Sequence, residues 1–322
     1  MRSSDLRRCA RGGRAIVLLL LLTAIGGCAK RDANQFVVGF SQMESDNPWR
    51  LAETKSLRDE AAKRGIKLVV TDAQGQTAKQ VADVEDLIAR HVNVILLAPR
   101  EFEGLVPALA SAKAAKIPVI LVDRAAKGTP GEDYVTLLAS NFVEQGRRAG
   151  EWLAKQTNGK ASIVELSGTP GASVAIDRGK GFRDALAAYP NMKIIASQTG
   201  NFSRATAQGV MQNIAQSLGK QITAVFAQND EMALGAAQAL TAAGLKPGTD
   251  VTIVSVDGER AALEAIERGE LGATVESNPR FGPLAFDTIE KLRKGEALPP
   301  MILITDHFFD KSNAKQFTAD AF

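Results

Sequence analysis

Short apolar runs recur along this chain, each followed by a stretch with helical spacing, and that alternation excludes most folds. Residues 36–40 form the first run, and a helix over about 49–64 follows. Residues 67–71 precede a helix over about 77–90; residues 92–98 lead into a helix over 102–116 and then the run 118–122. The rhythm restarts with 135–139 and a helix over 142–156, followed by runs at 161–166, 193–196, 224–227 and 251–255. The runs are continuous rather than alternating in polarity, as in parallel strands buried on both faces. Strand and helix in turn argue for α/β units with right-handed crossovers. Ten or so strands fit two sheets better than one, and the chain shows no short sequence repeat.

Ahead of this body stand Arg2, Arg7, Arg8, Arg11 and Arg14, then an apolar run from Ala15 to Ile25. Such a run suits a signal-peptide core of about 7–15 residues and is too short to cross a bilayer. It ends in Ile25-Gly26-Gly27-Cys28, which resembles the bacterial lipobox, where the cysteine is acylated and the chain is cut just before it. The competing reading is ordinary signal-peptidase cleavage with Cys28 incidental; small residues before the cysteine favour lipidation. The expected layout is a signal peptide over 1–27 and a polar tether over 28–35. Either way the chain is exported, into the periplasm or as a lipoprotein touching the membrane only through its N-terminal lipid.

With the leader's five arginines and one aspartate taken from totals of 39 and 36, 34 basic side chains face 35 acidic ones. No basic block marks a nucleic-acid surface. Beyond the leader the only cysteine is Cys28, and His91 and His307 stand far apart, so neither disulfides nor a zinc site is expected. The remainder is long enough for about two domains with their own cores.

Polar side chains collect where apolar runs end. Asp123 and Arg124, Asn141, Asn229 and Asp230, and Asp257 each follow such a run. Open parallel sheets bind ligands outside the carboxyl ends of their strands. Asp and Asn at these places also cap helices. Asp72 and Asp230 keep that reading, whereas repetition in both halves shifts Asp123, Asn229 and Asp257 towards a ligand. In Asn47-Pro48-Trp49-Arg50, Asn47 can cap and Pro48 suits the first helical position, which puts Trp49 near the ligand end of the sheet, as core residue or stacking platform. Phe202 sits in a comparable loop, and Arg178 is either a surface charge or a clamp. Planar Asp, Asn and Arg groups with aromatic rings suit a sugar, whose hydroxyls need bidentate partners and whose C–H faces need apolar cover.

On Asn47-Pro48-Trp49, Val122-Asp123-Arg124, Asp177-Arg178-Gly179-Lys180-Gly181-Phe182, the 227–233 stretch and Val256-Asp257-Gly258, the chain resembles periplasmic sugar-binding proteins of the ribose/galactose type. Residues 39–42, 49–50, 52–54 and 171–178 look most like the galactofuranose-binding branch. The resemblance implies two doubly wound parallel-sheet lobes joined by a three-segment hinge. The first lobe would take 36–139 and 277–305, the second 140–276 and 306–322. It also implies ligand contacts from Asn47, Trp49, Arg50, Asp123, Arg124 and Asn141 on one side of the list and Arg178, Phe202, Asn229, Asp257 and Glu276 on the other. Arg50 stands where the ribose pattern often has an aromatic ring, and Glu276 where it often has glutamine; both argue against ribose itself. The implied protein is a monomeric receptor without cofactor, passing a galactofuranose- or galactose-like monosaccharide to the permease and ATPase of an ABC importer.

An enzyme is the first rival, with Asp123 and Asp257 as paired carboxylates for glycoside hydrolysis. The arginines that the resemblance places beside the site would keep those carboxylates ionised, and no nucleophile elbow, P-loop or metal motif appears. The second rival is a sensor presenting its closed form to a membrane kinase or chemoreceptor.

Overall fold

The computed structural model describes residues 35–322, so the leader, Cys28 and the tether up to Asn34 lie outside the described residues. The first half runs β1 (Val37–Gln42), α1 (Pro48–Lys63), β2 (Lys67–Asp72), α2 (Thr77–Ala89), β3 (Val94–Leu97), α3 (Val106–Ala114), β4 (Val119–Val122) and β5 (Thr136–Ala139). Then come α4 (Phe142–Gln156), β6 (Lys160–Ser167), α5 (Ser173–Leu186), β7 (Asn191–Thr199), α6 (Arg204–Leu218), β8 (Ala224–Ala227), α7 (Asp230–Ala242) and β9 (Thr252–Asp257). The chain finishes with α8 (Arg260–Arg268), β10 (Ala273–Glu276), α9 (Gly282–Arg293), β11 (Met301–Leu303), β12 (Phe308–Asp310) and α10 (Ala314–Phe317).

The strands form two six-stranded sheets, ordered β11-β5-β4-β3-β1-β2 and β12-β10-β9-β8-β6-β7. Every pairing is parallel except β10 with β12. The α/β fold in two lobes expected from the alternating runs is therefore present. In the first sheet, Leu96, Ile120, Val122 and Leu138 pack on one face with Phe281, just ahead of α9, and Phe286 within it. Ile95, Leu97 and Leu121 pack on the other with Leu87, Leu105 and Leu109. Two covered faces explain why these strands read as unbroken apolar runs.

The two sheets repeat one winding: each reverses its strand order beside its first strand, β1 or β6, which creates the crevice where such sheets take ligands. The chain passes between the sheets three times, between Ala139 and Phe142, between Glu276 and Gly282, and between Leu303 and Phe308. After the second passage α9 packs against α1, so closely that a Cβ on Gly282 would lie 2.2 Å from the Ser56 carbonyl oxygen.

Two local expectations change. The helix expected over 102–116 begins only at Val106, because the Phe102 amide donates to the Gly171 carbonyl in the facing lobe instead of starting a helix. The strands β10, β11 and β12 carry apolar runs too short to stand out by periodicity.

Candidate binding site

In the first lobe the cleft wall is set by a helix start. Asn47 caps α1, its Oδ1 accepting from the Arg50 amide at 2.9 Å, and Pro48 occupies the first turn. Trp49 and Arg50 are thereby held at the sheet's carboxyl edge. Trp49 is both core residue and cavity wall: it meets Phe281 edge-on at 6.4 Å and donates from Nε1 to the Ser277 carbonyl at 2.6 Å. Arg50 donates to Asp123 Oδ2 at 2.6 Å and to Glu53 Oε2 at 2.9 Å, and Gln42 holds Glu53 from behind at 2.9 Å. Two carboxylates, one of them itself anchored by Gln42, thus fix one guanidinium.

The second lobe repeats the device. Arg178, on the first helix after β6, donates from Nε to Gln145 Oε1 at 2.9 Å, from one terminal nitrogen to the Gln228 carbonyl at 2.5 Å, and from the other to Asp257 Oδ1 at 3.3 Å. Asp123 follows β4 and Asp257 ends β9, the fourth strand of each winding. An arginine on the first helix and an aspartate at the end of the fourth strand therefore face the cleft in each lobe.

Backbone strain marks the same positions. Asp123, Phe202 and Asp257 have φ values of 66°, 57° and 135°, a region that costs non-glycine residues about 1–3 kcal/mol and is retained where function requires it. The Phe202 ring lies on Gly168, where an added Cβ would stand 1.9 Å from the ring. Asn229 caps α7 through the Met232 amide and donates from Nδ2 to the Phe202 carbonyl at 3.3 Å. The Arg124 guanidinium reaches across to lie 5.3 Å from the Phe202 ring centre, and its buried Nε has no hydrogen-bond partner. Burial and the neighbouring Arg50 charge pull Arg124 down to about 10, still fully charged at neutral pH. Burial pushes the Asp257 carboxyl well up, against the opposing pull of Arg178.

These side chains surround a small cavity between the lobes. Asn47, Trp49, Arg50, Asp123 and Arg124 line it from one side and Arg178, Phe202, Asn229 and Asp257 from the other. Val174 and Ser277 also line it, and neither carries a residue type that would single it out in sequence. Across the mouth the Ala125 amide donates to Ser173 Oγ at 3.1 Å, and the Phe102–Gly171 backbone bond lies beside it, so the lobes are closed on each other.

The structure does not bring Asn141 or Glu276 into this lining. Asn141 is exposed and caps α4 by accepting from the Glu144 amide. Glu276 turns its carboxylate away, to the amide and ring of His307. Two capping assignments also change. The cap of α7 is Asn229, while Asp230 is fully buried behind it, accepting from Ser255, Thr274 and the Glu259 amide. Asp72 closes a local turn onto the Gln74 amide and caps no helix.

Residues 38–297 match the family described as periplasmic binding protein domain. The chain belongs to that family. The binding protein is 41% identical over 292 residues to the galactofuranose-binding protein YtfQ of Escherichia coli K12, covering 89% of this chain and 92% of that one. It is 35% identical to the ribose import binding protein RbsB of Bacillus subtilis 168, over 83% of this chain and 85% of the other. Among solved structures it is similar to the periplasmic component of an arabinose ABC transporter from Shewanella sp. ANA-3, bound to α- and β-L-arabinofuranose. That likeness has a TM-score of 0.85 at 43% identity, over 88% of this chain and 95% of that one. The family is one of binding proteins, and the chain is no enzyme.

Proposed function

We propose that this protein captures a monosaccharide in its furanose form between the lobes and hands it to the membrane partner of an ABC importer. The observation that carries the reading is the matched pair of arginine–aspartate clamps, one per lobe, facing a single small cavity. The three arginines there stand against the acidic side chains of Asp123, Asp257 and the Arg50-bound Glu53, which offset their charge in part. A neutral molecule with many hydroxyls fits that balance: planar charged groups hydrogen-bond the hydroxyls, while Trp49 and Phe202 offer apolar cover. The furanose preference draws on the relatives, two of which are named for furanose ligands.

On this reading the three passages between the sheets form the hinge, separating a lobe of 36–139 and 277–305 from one of 140–276 and 306–322. Sugar contacts available only when the lobes meet would shift the population towards the closed form. Asn141 and Glu276 would enter the contact shell only by turning from their present partners. Acylation at Cys28 would hold the receptor at the membrane, and Cys28→Ser would then release it into the soluble fraction.

A thermal-shift screen of the protein without its leader, against L-arabinose, D-galactose, D-ribose and D-fructose, tests the central claim. A ligand at 100 times its dissociation constant adds about 2.7 kcal/mol, readily seen as a raised melting temperature. No shift with any sugar would defeat the sugar reading.

A further inference from the structure

Outside the cavity, one carboxylate ties together all three passages between the sheets. Asp306, on the third passage, accepts at Oδ1 from Ser140 Oγ on the first, at 3.0 Å, and from the Asn278 amide on the second, at 3.0 Å. Its Oδ2 accepts from Gln145 Nε2 at 2.8 Å. The same Gln145 amide group donates to the Glu276 carbonyl at 3.2 Å and accepts, at Oε1, from Arg178 Nε at 2.9 Å. Gln145 is buried in α4 and does not line the cavity.

The orientation of that amide follows from its partners. A guanidinium only donates, and a carboxylate and a carbonyl only accept, so the oxygen must face Arg178 and the nitrogen must face Asp306. No other uncharged side chain of this length offers both ends. We propose that Gln145 is a positioning residue: it orients the Arg178 guanidinium and links it through Asp306 to the three lobe passages. A change in how the passages lie then reaches Arg178, and sugar held by Arg178 in turn favours one arrangement of the passages. The proposal deepens the sugar-binding reading and, for its effect on affinity, rests on it.

The test is a swap of chemistry along the link. Gln145→Glu keeps the acceptor facing Arg178 but sets an acceptor against Asp306. Asp306→Asn keeps the oxygen serving Ser140 and Asn278 but sets a donor against Gln145. Each single variant should weaken binding of L-arabinose or D-galactose at least tenfold by calorimetry. Each should also enlarge the ligand-free protein in small-angle scattering. The double variant restores donor against acceptor between positions 145 and 306, though not at the Glu276 carbonyl, and should recover part of both losses. Singles that bind as tightly as the parent, or losses that multiply in the double variant, would overturn the link. A parent that binds neither sugar would count against the sugar reading instead. Scattering, which needs no ligand, then decides the link, and unchanged dimensions in both singles would end it. Cooperative melting must be shown for each variant. Should a single variant not fold, Ser140→Ala removes one bond to Asp306 and must move the scattering in the same direction.

Discussion

Arg178 reaches three acceptors that lie in three directions, Gln145, the Gln228 carbonyl and Asp257. A lysine ammonium is a point charge on a flexible stem and cannot serve that fork. Hydrogen bonds to charged groups contribute about 1.5–3 kcal/mol each, so Arg178→Lys should weaken sugar binding by at least tenfold. Calorimetry on a variant that still melts cooperatively checks this; unchanged affinity would remove Arg178 from the site. Asp123→Asn is a sounder probe of the other clamp than alanine, since truncation would strip Arg50 of a buried partner and risk the fold. Most of these residues were legible beforehand because strand ends and a capped helix start dictate where their side chains emerge. Asn141 and Glu276 were not, because their direction depends on the Glu144 amide and on His307, neither of which sequence spacing places. Val174 and Ser277 were invisible for a simpler reason, being ordinary residues made relevant only by the approach of the lobes.

At the level of elements, Gly181 of the 177–182 stretch and Gly146 of α4 do something the sequence motif does not announce. They let α4 and α5 cross at backbone contact: a Cβ on Gly181 would stand 1.9 Å from the Val143 carbonyl oxygen, and one on Gly146 would stand 2.0 Å from that of Arg178. This crossing puts Gln145 against Arg178. Gly181→Ala should therefore cost about 1–3 kcal/mol through overpacking, despite alanine's better helix propensity. Gly209 in α6 has open space where its Cβ would go, and Gly209→Ala should stabilise by about 0.5–1 kcal/mol. Thermal or urea unfolding of the pair checks both signs, and a stabilised Gly181→Ala would refute the close crossing. Strand and helix alternation was readable because it reflects burial on two sheet faces. Helix-to-helix spacing was not, because it depends on which helices meet.

For the molecule as a whole, a buried acidic cluster behind the second clamp sets a pH dependence. Burial raises Asp230 to about 6 and pushes Glu259 well up, with the charges of Asp230 and Asp257 adding to the effect on Glu259. Both Glu259 oxygens are buried without a hydrogen-bond partner. Carboxyls with raised folded-state values hold protons that the unfolded chain has released, so stability falls as pH rises through that window. The ligand-free protein should be more stable at pH 5.5 than at pH 7.5, by about 1.4 kcal/mol per pH unit for each group protonated only when folded. Glu259→Gln should flatten the slope and raise stability at pH 7.5. Melting curves across that range check it, and a parent more stable at pH 7.5 would reverse the assignment.

The indole of Trp49 touches both the cavity and a hinge carbonyl, that of Ser277, which gives the protein an optical signal of its own. Only two tryptophans are present, and the other, Trp152, packs on Gly272 away from the cleft lining. Native fluorescence should thus split into one emitter that responds to cleft occupancy and one that stays constant. Quenching by iodide or acrylamide would read the opening of the lobes directly, without an attached dye and in the protein as it folds.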